Sequence, residues 1–271
     1  MSSAAATFLE GMIARRTAAV AAEFGELTSA DRERLACCSR APRDFIAALR
    51  DRPNVAVIAE VKRASPSAGP IAPDRDASTQ ALHYQDGGAA AISVLTEPYH
   101  FGGSFTDLSD VADAADIPVL CKDFVVDPVQ LFVARGHGAD AVLLMVSILG
   151  EEIVEYLDLA HTLGMQALVE AHDAHELDIA LRSGAGIIGV NARDLRTLQV
   201  DLEGARSLVN EVGQAGRIAV AESGVRTRAD VVEASAAGAD AVLVGEALMR
   251  APFPQDVLHE LTGVAKMPVT A

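Results

Sequence analysis

The chain has 271 residues, half of them hydrophobic, which is material for one large domain or two ordinary ones. Its 38 acidic residues outweigh 22 Lys and Arg, and the resulting net charge of −16 makes its surface repel nucleic acid and anionic membranes. No apolar run reaches the roughly 18 residues of a membrane span, and Arg15 and Arg16 follow the apolar N-terminal residues, the wrong order for a secretory signal. The expectation is a cytoplasmic protein. An anionic ligand would need positive groups gathered locally.

In chain order, residues 1–54 read as a helical extension. "ATFLEGMIARRTAAVAAEF" is Ala-rich with apolar residues at helical spacing. "TSADRERLACC" opens on a helix cap, Thr28 or Ser29, with acidic residues in the first turn. "PRDFIAALR" places Pro42 where a first helical turn tolerates it. Cys37, Cys38 and Cys121 have neither metal-ligand nor disulfide spacing, and the adjacent pair reads as small apolar filling on a helix.

From residue 55 the pattern changes. Short apolar, β-branched runs occupy 55–61, 89–95, 117–122, 140–146, 165–170, 186–191, 217–222 and 240–245, with helical periodicity between them. Near-continuous apolar strands alternating with helices indicate a parallel sheet covered by helices. "GADAVLL" at 138–144 and "GADAVLV" at 238–244 nearly repeat, and "GGAAAIS" at 87–93 is a looser copy. Eight such units over residues 55–271 predict an α/β fold, a (β/α)8 TIM barrel carrying the N-terminal helices. An open doubly wound sheet is the competitor, but no G-x-G-x-x-G follows the first strand.

Chemistry on such a barrel sits at the C-terminal ends of the strands. The first strand ends in Glu60, Val61 and Lys62, and alternation turns both charges to one face. The third ends in Lys122, the fifth in Glu170, the sixth in Asn191 before Arg193, and the seventh in Glu222 and Ser223. Lysine is scarce: against nineteen arginines there are only Lys62, Lys122 and Lys266, and two of the three stand at strand ends. An ammonium exchanges its proton where a guanidinium does not, so lysine is the residue that proton chemistry requires here. Ser223 and Gly224 after the seventh strand, and Gly245 and Glu246 after the eighth, offer backbone N–H groups to a phosphate.

These segments, "IAEVKRASPSAG", "AAAISVLTEPYHFGGS", "CKDFVVDP", "LVEAHD", "GVNARDL", "AESGV" and "VGEALMR", occur in this order. Together they resemble the indole-3-glycerol phosphate synthase family of tryptophan biosynthesis, from the first strand to the eighth. The resemblance implies ring closure, decarboxylation and dehydration of 1-(2-carboxyphenylamino)-1-deoxyribulose 5-phosphate, a carboxy-lyase reaction with no metal or organic cofactor. It implies Lys122 as the general acid, and burial beside Lys62 and Arg193 is the expected means of lowering its pKa. Glu170 becomes the base, with Lys62, paired to Glu60, as a second acid or electrostatic clamp. Asn191 and Ser223 would orient hydroxyls, while Arg193 and Ser65 would hold the substrate carboxylate. Phe101 and Phe124 would wall the anthranilate ring, and the backbone of Gly224, Gly245 and Glu246 would receive the phosphate.

Three positions depart from that family. Ala68 stands where many relatives carry lysine, Arg75 is placed to compensate for that lost charge, and His100 precedes "FGGS" at a variable position. Residues 61–75, with three prolines and three Ser or Gly, suit a loop that closes over substrate. The remaining alternatives are another phosphate-sugar barrel enzyme such as phosphoribosylanthranilate isomerase, and a paralogue in a specialised indole pathway. The expected partner is a phosphorylated small molecule, and the expected state a monomer or weak homodimer.

Overall fold

The computed structural model describes residues 7–37 and 39–268. Eight parallel strands, Ala56–Val61, Ala91–Leu95, Val119–Lys122, Ala141–Met145, Gln166–Ala171, Ile187–Asn191, Ile218–Glu222 and Ala241–Val244, lie side by side in chain order. The last pairs with the first, Ala56 opposite Ala241, and the sheet closes into a (β/α)8 barrel. All eight fall within the apolar runs, Ala171 alone extending past its run.

The strands need apolar residues on both faces because water reaches neither. Outward residues such as Val57, Ala59, Val119, Cys121 and Val169 pack under the helices in one large cluster. Inward residues such as Ile58, Leu120, Leu168, Ile218, Val220 and Leu243 form a second cluster that fills the barrel. Alternation along each strand then decides what comes next on the inner face: after Ile58 comes Glu60, after Leu120 Lys122, after Leu168 Glu170, after Val220 Glu222. The polar site is therefore the top layer of the same rows that build the core.

Eight helices return the chain between strands, and five are capped by a side chain that accepts from the third backbone N–H of its helix: Asp76, Ser104, Asp173, Asp201 and Thr227. The near-repeats end their helices alike, with Gly138 and Gly238 at φ 86° and 94°, a region costly for any side chain. No helix among the described residues is long and apolar enough to cross a membrane.

The extension forms helices Phe8–Phe24, Ser29–Cys37 and Phe45–Arg50 and touches both ends of the barrel. At the N-terminal end Phe45 and Leu49 join the inner core, Arg43 donates to the carbonyl of Ile117 at 3.1 Å, and Arg40 grips buried Asp140 with two bonds of 2.7 Å. At the C-terminal end of the strands Leu9 and Met12 join the same core beside Phe124. There Arg16 pairs with Asp123 at 2.8 and 2.5 Å, each side chain only 2% exposed.

Two details differ from the sequence expectation. The third helix starts after Asp44, whose side chain accepts from Ala47 N–H at 2.8 Å, so Pro42 lies in the preceding loop. Cys37 is exposed rather than buried, because the helix Ser29–Cys37 has no buried residue; Cys38 lies outside the described residues. Cys121 is buried, and burial pushes its thiol up to about 12.

Candidate active site

A cleft opens at the C-terminal ends of the strands. It is lined by every residue named above as catalytic or substrate-binding: Glu60, Lys62, Ser65, Phe101, Lys122, Phe124, Glu170, Asn191, Arg193, Ser223, Gly224, Gly245 and Glu246.

Four charged groups form a chain across its floor. Lys62 Nζ lies 2.6 Å from Glu60 Oε1, Lys122 Nζ 3.1 Å from Glu60 Oε2, and Lys122 Nζ donates to Glu222 Oε2 at 3.0 Å. Burial works against the Glu60 carboxylate, but Lys122 and Lys62 together overcome it and hold its pKa at about 2. Glu222 is equally buried and has one lysine where Glu60 has two. Burial dominates there, Lys122 offsets only part of it, the charge of Glu170 adds to it, and Glu222 titrates at about 7.

The expectation for Lys122 is overturned. Burial does lower its pKa, but the charges of Glu222, Glu60 and Glu170 outweigh burial and hold it above the ordinary lysine value. Arg193 is not the neighbour that matters: its guanidinium donates to the carbonyl of Leu198 at 3.0 Å. Lys122 is therefore held as a firmly charged ammonium.

Two glycines make room for this cluster. A Cβ on Gly245 would lie 2.4 Å from Glu60 Oε1 and 3.1 Å from Lys62 Nζ, and one on Gly189 would lie 2.2 Å from Glu222 Oε1. A side chain at either place would have to displace those carboxylates.

The remaining groups surround the floor. Asn191 Oδ1 accepts from Ser223 Oγ at 2.7 Å and from Arg193 N–H at 3.0 Å, and Ser223 adopts φ 65°, rare for a residue with a side chain. Phe101 and Phe124 stand with ring centroids 6.0 Å apart and also pack on the inner core, so they are wall and core together. Ser65 Oγ accepts from Ala68 N–H at 3.2 Å inside a short hairpin, Ala64–Ser65 against Gly69–Pro70. Arg63 anchors that hairpin to Asp107 at 2.6 and 2.7 Å. The Glu246 side chain turns away to Arg250 at 2.9 Å.

Arg75 does not compensate for Ala68. It donates to the carbonyl of Ala251 at 2.6 Å and to Gln80 at 3.3 Å, outside the cleft, and the cation that does line the cleft near Ser223 and Gly224 is Arg226. Sequence reasoning placed Glu222 at a strand end but gave it no role in the site. It left out His172 of "LVEAHD" and Glu97, whose carboxylate accepts the N–H groups of Tyr99, His100 and Phe101 at 3.0, 2.7 and 3.1 Å and so sets the loop that carries Phe101. Among the described residues no group of three or more His, Cys, Asp or Glu could hold a metal ion.

An eight-stranded barrel with half-buried lysines and buried carboxylates at its C-terminal mouth is an enzyme of the (β/α)8 class, equipped to move protons. Fold comparison agrees on the fold: 3-hexulose-6-phosphate synthase superposes with a TM-score of 0.62 at 18% identity, covering 76% of this chain and 98% of that one. The chain belongs to the indole-3-glycerol phosphate synthase family, whose model matches residues 9–261. The indole-3-glycerol phosphate synthase of Mycobacterium avium (strain 104) is 46% identical over 97% of this chain and 96% of its own length. That of Parafrankia sp. (strain EAN1pec) is 50% identical over 84% of this chain and 85% of its own.

Proposed function

We propose that this chain is a carboxy-lyase that converts 1-(2-carboxyphenylamino)-1-deoxyribulose 5-phosphate into indole-3-glycerol phosphate, carbon dioxide and water, a step of tryptophan biosynthesis. The observation that carries the reading is family membership along nearly the whole chain. The convergence of Lys62, Lys122, Glu170 and Asn191 in one cleft supports it.

The ring carbon that bears the carboxylate attacks the C2 carbonyl, and the new alkoxide needs a proton. In this reading the Lys122 ammonium supplies it. Its raised pKa keeps the proton in place until negative charge develops on the substrate oxygen; Glu60 and Glu222 hold the ammonium at the floor meanwhile. Loss of carbon dioxide restores the aromatic ring. Dehydration then needs a proton on the departing hydroxyl, assigned to Lys62, and a base for a proton of the closed five-membered ring, assigned to Glu170. Glu170 Oε1 is buried, with no aligned hydrogen bond and with His172 Nε2 at 3.3 Å. Arg193 and Ser65 are assigned to the substrate carboxylate, Phe101 and Phe124 to its ring, Asn191 and Ser223 to its hydroxyls and amine, and the backbone at Gly224, Gly245 and Glu246 to its phosphate. The reading includes a cytoplasmic setting and a monomer or weak homodimer.

Growth tests the assignment. Expression in a tryptophan-requiring strain that lacks this step should restore growth without tryptophan. A well-expressed chain that fails there but rescues a strain lacking phosphoribosylanthranilate isomerase would overturn it.

A further inference from the structure

His172 follows the fifth strand immediately and its side chain is only 5% exposed, where the chain is already leaving the barrel. Each ring nitrogen faces a carboxylate. Nε2 lies 3.3 Å from Glu170 Oε1, and Nδ1 lies 3.0 Å from Glu176 Oε2, which also accepts the His172 backbone N–H at 2.8 Å. Glu176 is itself fixed, in the first turn of helix Ala174–Arg182, where its N–H donates to the cap Asp173 at 2.9 Å.

A neutral imidazole has one N–H and one bare lone pair. Between two carboxylates, either tautomer would aim that lone pair at a negative oxygen. Only the imidazolium suits both sides at once. The charges that face it are Glu170 of its own strand end, Glu176 of the following helix and Glu222 of the seventh strand. Burial alone would lower its pKa, but the Glu176 hydrogen bond and these three charges prevail and raise it to about 9.

The local charge balance explains why a cation is needed at this spot. Lys62 and Lys122 are engaged with Glu60 and Glu222. Glu170 is 1% exposed, and the basic side chain that stands within 4 Å of its carboxylate is His172. The 3.3 Å approach is an ion pair and not an aligned hydrogen bond, since both Glu170 Oε1 and His172 Nε2 lack a hydrogen-bond partner. The neighbour thus supplies charge without occupying the oxygen.

We propose that His172 is a positioning residue that stays protonated through the reaction, keeps Glu170 ionised and aimed into the cleft, and is anchored from behind by Glu176. The proposal rests on the reading of Glu170 as the base, and the experiment separates the two. The kcat and KM of His172→Gln, Glu176→Gln and Glu170→Gln are followed across pH with the carboxyphenylamino substrate, and the ring nitrogens of His172 in the unmodified protein are observed by 15N NMR.

For His172→Gln the acid limb of the kcat/KM profile moves up by about one pH unit or more. Below that limb kcat/KM falls roughly tenfold with KM little changed. Glu176→Gln moves the limb the same way by less. In the unmodified protein both ring nitrogens carry protons at about pH 7, where a free histidine is mostly neutral. A neutral ring at that pH overturns the proposal, and this readout needs no variant to fold. So does a folded His172→Gln with an unmoved acid limb. Full turnover in Glu170→Gln would instead remove Glu170 as the base, while the NMR result still decides the charge of His172.

Discussion

Lys122 is the proposed general acid, and its surroundings are acidic, opposite in sign to the setting expected from Lys62 and Arg193. Its partners Glu60 and Glu222 come from the first and seventh strands, and no reading of "VLCKDF" alone brings them to it. Strand-end alternation did make Glu60, Lys62, Lys122 and Glu170 legible, because a period of two is a local property. The cross-barrel pairing was not legible, because it depends on which strands face one another across the barrel. Lys122→Ala is expected to lose turnover by several orders of magnitude. It also removes the cation from Glu222, whose folded pKa of about 7 is already above that of an unfolded glutamate. A carboxyl group raised in this way costs stability as pH rises from its unfolded pKa to its folded one. Without Lys122 the folded value climbs further, so the Tm gap between the two proteins should widen from about pH 6 to about pH 9. Thermal melts across that range check it, and a gap that stays constant would show that Lys122 does not hold Glu222.

At the scale of elements, the strands were visible as apolar β-branched runs and the helices as periodic segments between them. The role of the extension was not visible. Arg16 and Asp123 are 107 residues apart in the chain, and neither residue type announces a partner. Glycines carried information of the same hidden kind: Gly189 and Gly245 look like ordinary small residues until Glu222 and Glu60 occupy the space beside them. We infer that residues 1–54 and 55–271 form one cooperative unit, since Leu9, Met12, Phe45 and Leu49 share the core that fills the barrel. Arg16→Ala leaves the Asp123 carboxylate buried without its cation, a loss of about 3–5 kcal/mol. Unfolding of this variant should remain a single transition, with the first helix and the barrel melting together at a lower temperature. Separate transitions, or an unchanged Tm, would mean that the helix only rests on the barrel.

For the whole molecule, the acidic surface and the cations held in the cleft are two parts of one arrangement. A net charge of −16 leaves few places where an anion is welcome, and Lys62, Lys122, Arg193 and Arg226 are gathered in the cleft. The inner faces of the strands carry apolar layers up to the mouth and charged groups beyond it, so stability and chemistry are divided along the barrel axis. Turnover tests the central claim most directly. Purified protein given 1-(2-carboxyphenylamino)-1-deoxyribulose 5-phosphate should develop indole absorbance and fluorescence with release of carbon dioxide, and folded Lys122→Ala should not. No indole from the unmodified protein, or undiminished indole from Lys122→Ala, would contradict the account.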